Sequence, residues 1–156
     1  MTMLKEHGGL WSKVLLGLAG ISAVTLITAI AVTAQEPAFT PLPASASVKI
    51  VEPANGATVR SPVKVVFSVS GAAIKPAGTL EAGTGHHHLL INEGPTPEKV
   101  IVPADATHLH FGKGQTETTL TLKPGDYTLT LQFADGLHRS YGPQVSHSIK
   151  IKVSDY

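Results

Sequence analysis

The chain has 156 residues, 12 Lys plus Arg against 11 Asp plus Glu, 8 His and no cysteine. Near-balanced charge without a basic run excludes a protein that tracks nucleic-acid phosphates. The lack of cysteine excludes disulfide frameworks, thiolate zinc sites, iron–sulfur clusters, blue copper and cysteine nucleophiles, and leaves the histidines as the unusual part of the inventory.

Residues 14–34 form 21 consecutive positions without a charge. As a helix rising ~1.5 Å per residue they reach ~31 Å, the thickness of a hydrocarbon core. Lys5 and Lys13 precede the run, and no Lys or Arg follows until Lys49. That asymmetry expects residues 1–13 in the cytoplasm, a single pass through a bacterial inner membrane, and the remainder in the periplasm. Trp11 stands where an interfacial anchor belongs. Gly17, Ala19, Gly20 and Ala23 supply small residues, with Ala19 and Ala23 spaced for close approach of another helix. A cleaved signal ending at Ala34 is the competing reading. The run is much longer than the ~7–15 residues of a signal's apolar region, which favours an uncleaved anchor. With no His and no ionisable residue inside it, the span cannot hold a haem or pigment metal or relay protons.

Residues 35–47 carry Pro37, Pro41 and Pro43 and are expected to be an extended spacer with up to ~40 Å of reach. Beyond them, over residues 48–156, the apolar period is two. Val48 and Ile50 open a strand that turns at Pro53-Ala54-Asn55-Gly56. Val63, Val65, Phe67 and Val69 alternate with polar residues. His87, Leu89 and Ile91 alternate with His86, His88 and Leu90 on the opposite face. Thr118, Leu120 and Leu122 lead into the Lys123-Pro124-Gly125-Asp126 turn; Tyr127, Leu129, Leu131 and Phe133 run to Asp135-Gly136; His147, Ile149, Ile151 and Val153 close the chain. About seven short strands with no helical period predict an all-β domain, an immunoglobulin-like antiparallel β-sandwich. Tyr127, opening a strand after a Pro-Gly turn, fits the tyrosine corner of such folds as well as it fits an ordinary inward tyrosine.

On a strand, residues i and i+2 share a face ~6.5–7 Å apart. His86 with His88 and His108 with His110 are two such pairs, and His138 is a fifth candidate. Imidazole-only ligation suits Zn(II), Cu(II) or Ni(II), while Cu(I) prefers Cys or Met, and the only methionines are Met1 and Met3. The alternative is structural: buried rings bonded to loop carbonyls, tying residues 71–85 to the sheet. His147, on an apolar face, reads as a satisfied core residue. The carboxylates Glu52, Glu81, Glu93, Glu98, Asp105, Glu117, Asp126 and Asp135 are scattered over predicted loops and strand ends. Ser140, Ser146 and Ser148 lack a nucleophile elbow. Phe111-Gly112-Lys113-Gly114-Gln115 lacks the full phosphate-loop spacing and reads as a tight turn. The pattern indicates no enzyme.

The strings Pro53-Ala-Asn-Gly-Ala-Thr-Val59, Gly85-His-His-His-Leu-Leu-Ile91, His110-Phe-Gly-Lys-Gly-Gln-Thr-Glu117 and Leu122-Lys-Pro-Gly125 occur in order. Over residues 48–153 the chain resembles a bacterial family of small exported domains of unknown function marked by the triple-His motif. The resemblance implies an envelope location and an immunoglobulin-like sandwich, and no established activity. Tyr127 stands where that family often has His, which implies one ligand fewer.

Two functions are expected on this basis. The first is a non-enzymatic, membrane-anchored accessory subunit that stabilises a larger membrane complex through contacts with its other subunits; a photosynthetic reaction centre with its antenna is one host of that type. The second is a periplasmic module binding Cu(II) or Zn(II) through His86, His88, His108, His110 and His138.

Overall fold

The computed structural model describes residues 35–155. The expected anchor at 14–34, with Trp11, Gly17, Ala19, Gly20 and Ala23, lies outside the described residues. Among those described, no helix is long and apolar enough to cross a membrane.

Among the described residues nine strands follow in chain order: β1 (Ser47–Glu52), β2 (Thr58–Arg60), β3 (Val63–Ser70), β4 (Ala73–Ile74), β5 (Thr84–Ile91), β6 (His108–His110), β7 (Glu117–Leu120), β8 (Gly125–Ala134) and β9 (Ser146–Ser154). The helical content among the described residues is one 3-10 turn, Pro143–Val145. The expected period-two segments at 48–50, 63–69, 87–91, 127–133 and 147–153 lie in strands; of Thr118, Leu120 and Leu122, the first two lie in β7 and Leu122 falls beyond its end. The fold is all-β.

The strands form two sheets, one ordered β1-β3-β7 and the other β2-β9-β8-β5-β4, with β6 also paired to β5. Val48, Ile50, Val65 and Phe67 from the first sheet share one buried cluster with Leu89, Leu129, Leu131, Phe133, Ile149 and Ile151 from the second. This is a sandwich-like packing in which the facing sides of the two sheets share one core. His147 projects from β9 toward the first sheet, where its Nδ1 accepts the Ile50 amide at 3.1 Å. It is half-buried and satisfied, as its place on the apolar stripe predicts. Tyr127 donates its hydroxyl to the Lys123 carbonyl at 3.0 Å, the geometry of a tyrosine corner.

Two features depart from the expected pattern. The pairings β2–β9 and β4–β5 are parallel, so the architecture is not purely antiparallel. Both involve strands of two or three residues, too short to show a period. The 35–47 segment is also not a bare spacer. Phe39 and Leu42 pack on the main core, and the Phe39 ring lies 5.4 Å from that of Tyr141.

β5 is the strand that positions the candidate site. An ordinary sandwich strand has a dry face and a wet one, but Thr84 through Leu90 are all buried. Loops roof the outer face. Gln132 on β8 accepts the Thr96 amide at 3.1 Å and donates to the Gly142 carbonyl at 3.0 Å. Thr130 donates to the Glu93 carbonyl at 2.8 Å, and Ser140 to that of Thr96 at 2.9 Å. Leu90, Val102 and Ala134 make a small second core under this roof.

Candidate metal centre

His86 and His88 project from the outer face of β5, opposite Ala134 and Gln132 of β8. His110 stands directly across from His88 on β6. His138 descends from the loop after β8. The four rings converge. Nε2 of His86 and Nε2 of His88 are 3.1 Å apart, and those of His110 and His138 are 3.2 Å apart. One nitrogen from each of the four lies within 4.8 Å of every other, a grouping able to hold a metal ion. His86 and His88 are fully buried, His138 is half-buried and His110 is exposed, so the group opens to solvent on one side.

The six ring-to-ring separations are 4.9, 5.0, 5.0, 5.0, 5.6 and 4.7 Å. Their near-equality is that of a tetrahedron. With metal–nitrogen bonds of ~2.05 Å, four imidazoles in a regular tetrahedron place all six ring pairs ~5.2 Å apart. A square plane gives ~4.5 Å along its edges and ~6.4 Å across its diagonals.

Burial, and then the proximity of His110 and His138, push the His86 ring down to about 4. Burial, with His86 next, takes His88 to about 2. His110 is lowered by burial and by His138. These rings are therefore neutral at pH 7, the form in which imidazole ligates. The Nε2 contacts join the rings only to one another, His86 to His88 and His110 to His138. The Nδ1 atoms of His86 and His88 are buried without a partner among the described residues. Neither ring reaches a loop carbonyl. Residues 71–85 are tied down instead by backbone bonds, including Lys75 N to Gly85 O at 2.9 Å and Ala77 N to Gly112 O at 2.9 Å.

Not every candidate histidine joins the group. His108 faces the same way as His110 along β6, but its Nδ1 contacts Asp105 Oδ1 at 2.9 Å, and it falls outside the four. The local reason is Asp105, which also accepts the amides of Thr107 and His108 and the Thr107 hydroxyl. These bonds hold its carboxyl well below the usual range. His87 points the other way, into the main core. Tyr127 lies at the far end of β8 from Ala134, so a tyrosine there removes no ligand from this group.

Three supporting residues were not singled out from the sequence. Asp135 receives the amides of Leu137 and Arg139, each at 2.9 Å, and so shapes the loop that presents His138. Arg139 locks that carboxylate through Nε at 2.7 Å. Gly112 is the third, because a Cβ there would overlap the His110 ring. Asp135-Gly136 beside His138 was the available signal, and by pattern it reads only as the end of a strand. Phe111–Gln115 is a tight turn as expected, closed by Gly114 N to Phe111 O at 3.1 Å.

A model of the family described as Domain of unknown function (DUF4399) matches residues 65–154. No curated protein and no solved structure matches the chain.

Proposed function

The chain belongs to the DUF4399 family, and we propose that it is a periplasmic binding protein for a divalent transition metal, held by His86, His88, His110 and His138. The observation that carries this reading is the convergence of four imidazoles with six nearly equal ring separations. Near-tetrahedral nitrogen ligation favours Zn(II) over Cu(II), which prefers a tetragonal plane. Four protein ligands fill a tetrahedral shell and leave no open position for a reacting water, which favours binding over catalysis. Ser140 is likewise engaged, donating to Thr96 O and accepting from Gly142 N. Titration of metal-free protein with Zn(II), followed calorimetrically, tests the reading. Stoichiometric binding lost in His88→Ala supports it, and equal heats for both proteins overturn it.

The finer fold reading is immunoglobulin-like. Support comes from β1-β3-β7 facing β5-β8-β9 and from a corner tyrosine at the start of the second-last strand. A second functional reading rests on the uncharged 14–34 segment: an anchored accessory subunit of a larger membrane complex, with the metal domain on its periplasmic side. Mild-detergent extraction followed by size separation and intact mass tests it. Recovery in a large particle with Met1 retained supports it, and recovery as a lone chain overturns it.

A further inference from the structure

Three of the four rings stand on strands, and the fourth does not. His86, His88 and His110 are fixed by the β5–β8 and β5–β6 ladders. His138 sits in a loop at φ 64°, a left-handed conformation that a non-glycine residue keeps only when its surroundings impose it. Those surroundings run outward in a chain of contacts. His138 donates its amide to Asp135 O at 2.9 Å and accepts the Val102 amide at 2.9 Å. The Asp135 carboxylate gathers the amides on either side of His138, and its second oxygen takes Arg139 Nε at 2.7 Å.

The guanidinium then continues away from the site. Nη1 donates to the Pro37 carbonyl at 2.7 Å and Nη2 to that of Ala38 at 3.5 Å. Its carbon lies 5.4 Å from the centre of the Phe39 ring, which also faces Tyr141 and Lys99. A single planar fork thus bridges the residues 37–39 segment and the carboxylate that shapes the ligand loop.

Building on the four-histidine reading, we propose that residues 37–39 and Arg139 are positioning elements of the metal centre, acting through Asp135 to hold His138 in ligating geometry. The spacer is then a strap whose docking sets the affinity of the site. Only a guanidinium fits the role, because an ammonium cannot engage the carboxylate and two carbonyls in fixed directions at once.

The test uses the full chain in detergent, with Zn(II) affinity and the visible spectrum of the Co(II)-substituted protein as readouts. The wild-type protein is expected to give the intense spectrum of tetrahedral Co(II). Phe39→Ala and Arg139→Lys should each weaken Zn(II) binding about 10–100-fold, the scale of supporting-residue losses at metal sites. The Co(II) bands should weaken as His138 leaves and water enters. Unfolding of the metal-free proteins in urea is followed in parallel, because a merely structural role would lower the midpoint and leave the Co(II) spectrum alone. Wild-type affinity and spectrum in both variants overturn the strap and leave the four-histidine site standing. A wild-type chain that binds neither ion overturns both.

Discussion

The two faces of β5 bury histidine in opposite ways. On the outer face, His86 and His88 meet His110 and His138, and each ring has other imidazoles as its nearest polar neighbours. On the inner face, His87 lies between Phe67 and Phe133, ring centres 5.5 and 5.1 Å away, with neither nitrogen partnered among the described residues. Burial alone pushes His87 down to about 4. Both faces therefore hold the ring neutral at a cost in desolvation. The outer face gathers its rings into a ligand set, whereas the structure shows no polar return for His87. Burial of a histidine is thus not the sign of a site; convergence is.

The largest expected effect breaks the outer face. Replacing His88 by Ala should lower Zn(II) affinity by at least the ~10–100-fold that a lost supporting residue costs, since a direct ligand is removed. Isothermal titration reads it, and a His87→Leu protein should bind like wild type.

Acid sharpens the comparison next. His86 and His87 titrate near 4 when folded, against 6.5 ordinarily. The unfolded chain therefore takes up protons first as pH falls. The stability of the metal-free protein should be fully present above pH 6.5 and decline from there to about 4. The loss should reach roughly 3 kcal/mol per buried ring, at ~1.4 kcal/mol per unit of displacement. Urea unfolding at stepped pH measures it. A flat profile over that range would mean that the rings are not held neutral.

The inner face can be tested by removal. His87→Leu should stabilise the metal-free protein by about 1–3 kcal/mol, because two unpartnered buried nitrogens disappear while the volume nearly stays. It should also reduce the acid slope. Gly112→Ala acts on the outer face alone. Its Cβ would displace the His110 ring, and a tenfold loss of Zn(II) affinity corresponds to ~1.4 kcal/mol. The smallest effect lies far from both faces. Tyr127→Phe deletes the hydroxyl contact with Lys123 O and should cost about 1 kcal/mol in urea unfolding, with metal affinity unchanged.

The sequence by itself determined the class of the domain and the faces of its principal strands. Period two places Leu129, Leu131 and Phe133 on one side of β8 and Thr130 and Gln132 on the other, because successive side chains on a strand point oppositely whatever the partner. The same rule puts His86 and His88 together and His87 apart. Periodicity has no information about what covers a face. The roof over β5 is made by loops whose backbone bonds to Thr130, Gln132 and Ser140 leave no repeating pattern. Only the tertiary structure therefore decided that both faces of β5 are dry. It also decided which of the two β6 histidines joins the group. His108 and His110 are equivalent in spacing, yet Asp105 captures one ring while the other meets His138, which lies 28 residues further along the chain. The strap was likewise illegible. Proline content sets the reach of a segment, but its docking depends on Arg139, which lies 102 residues away from Pro37 and meets it only in the folded state.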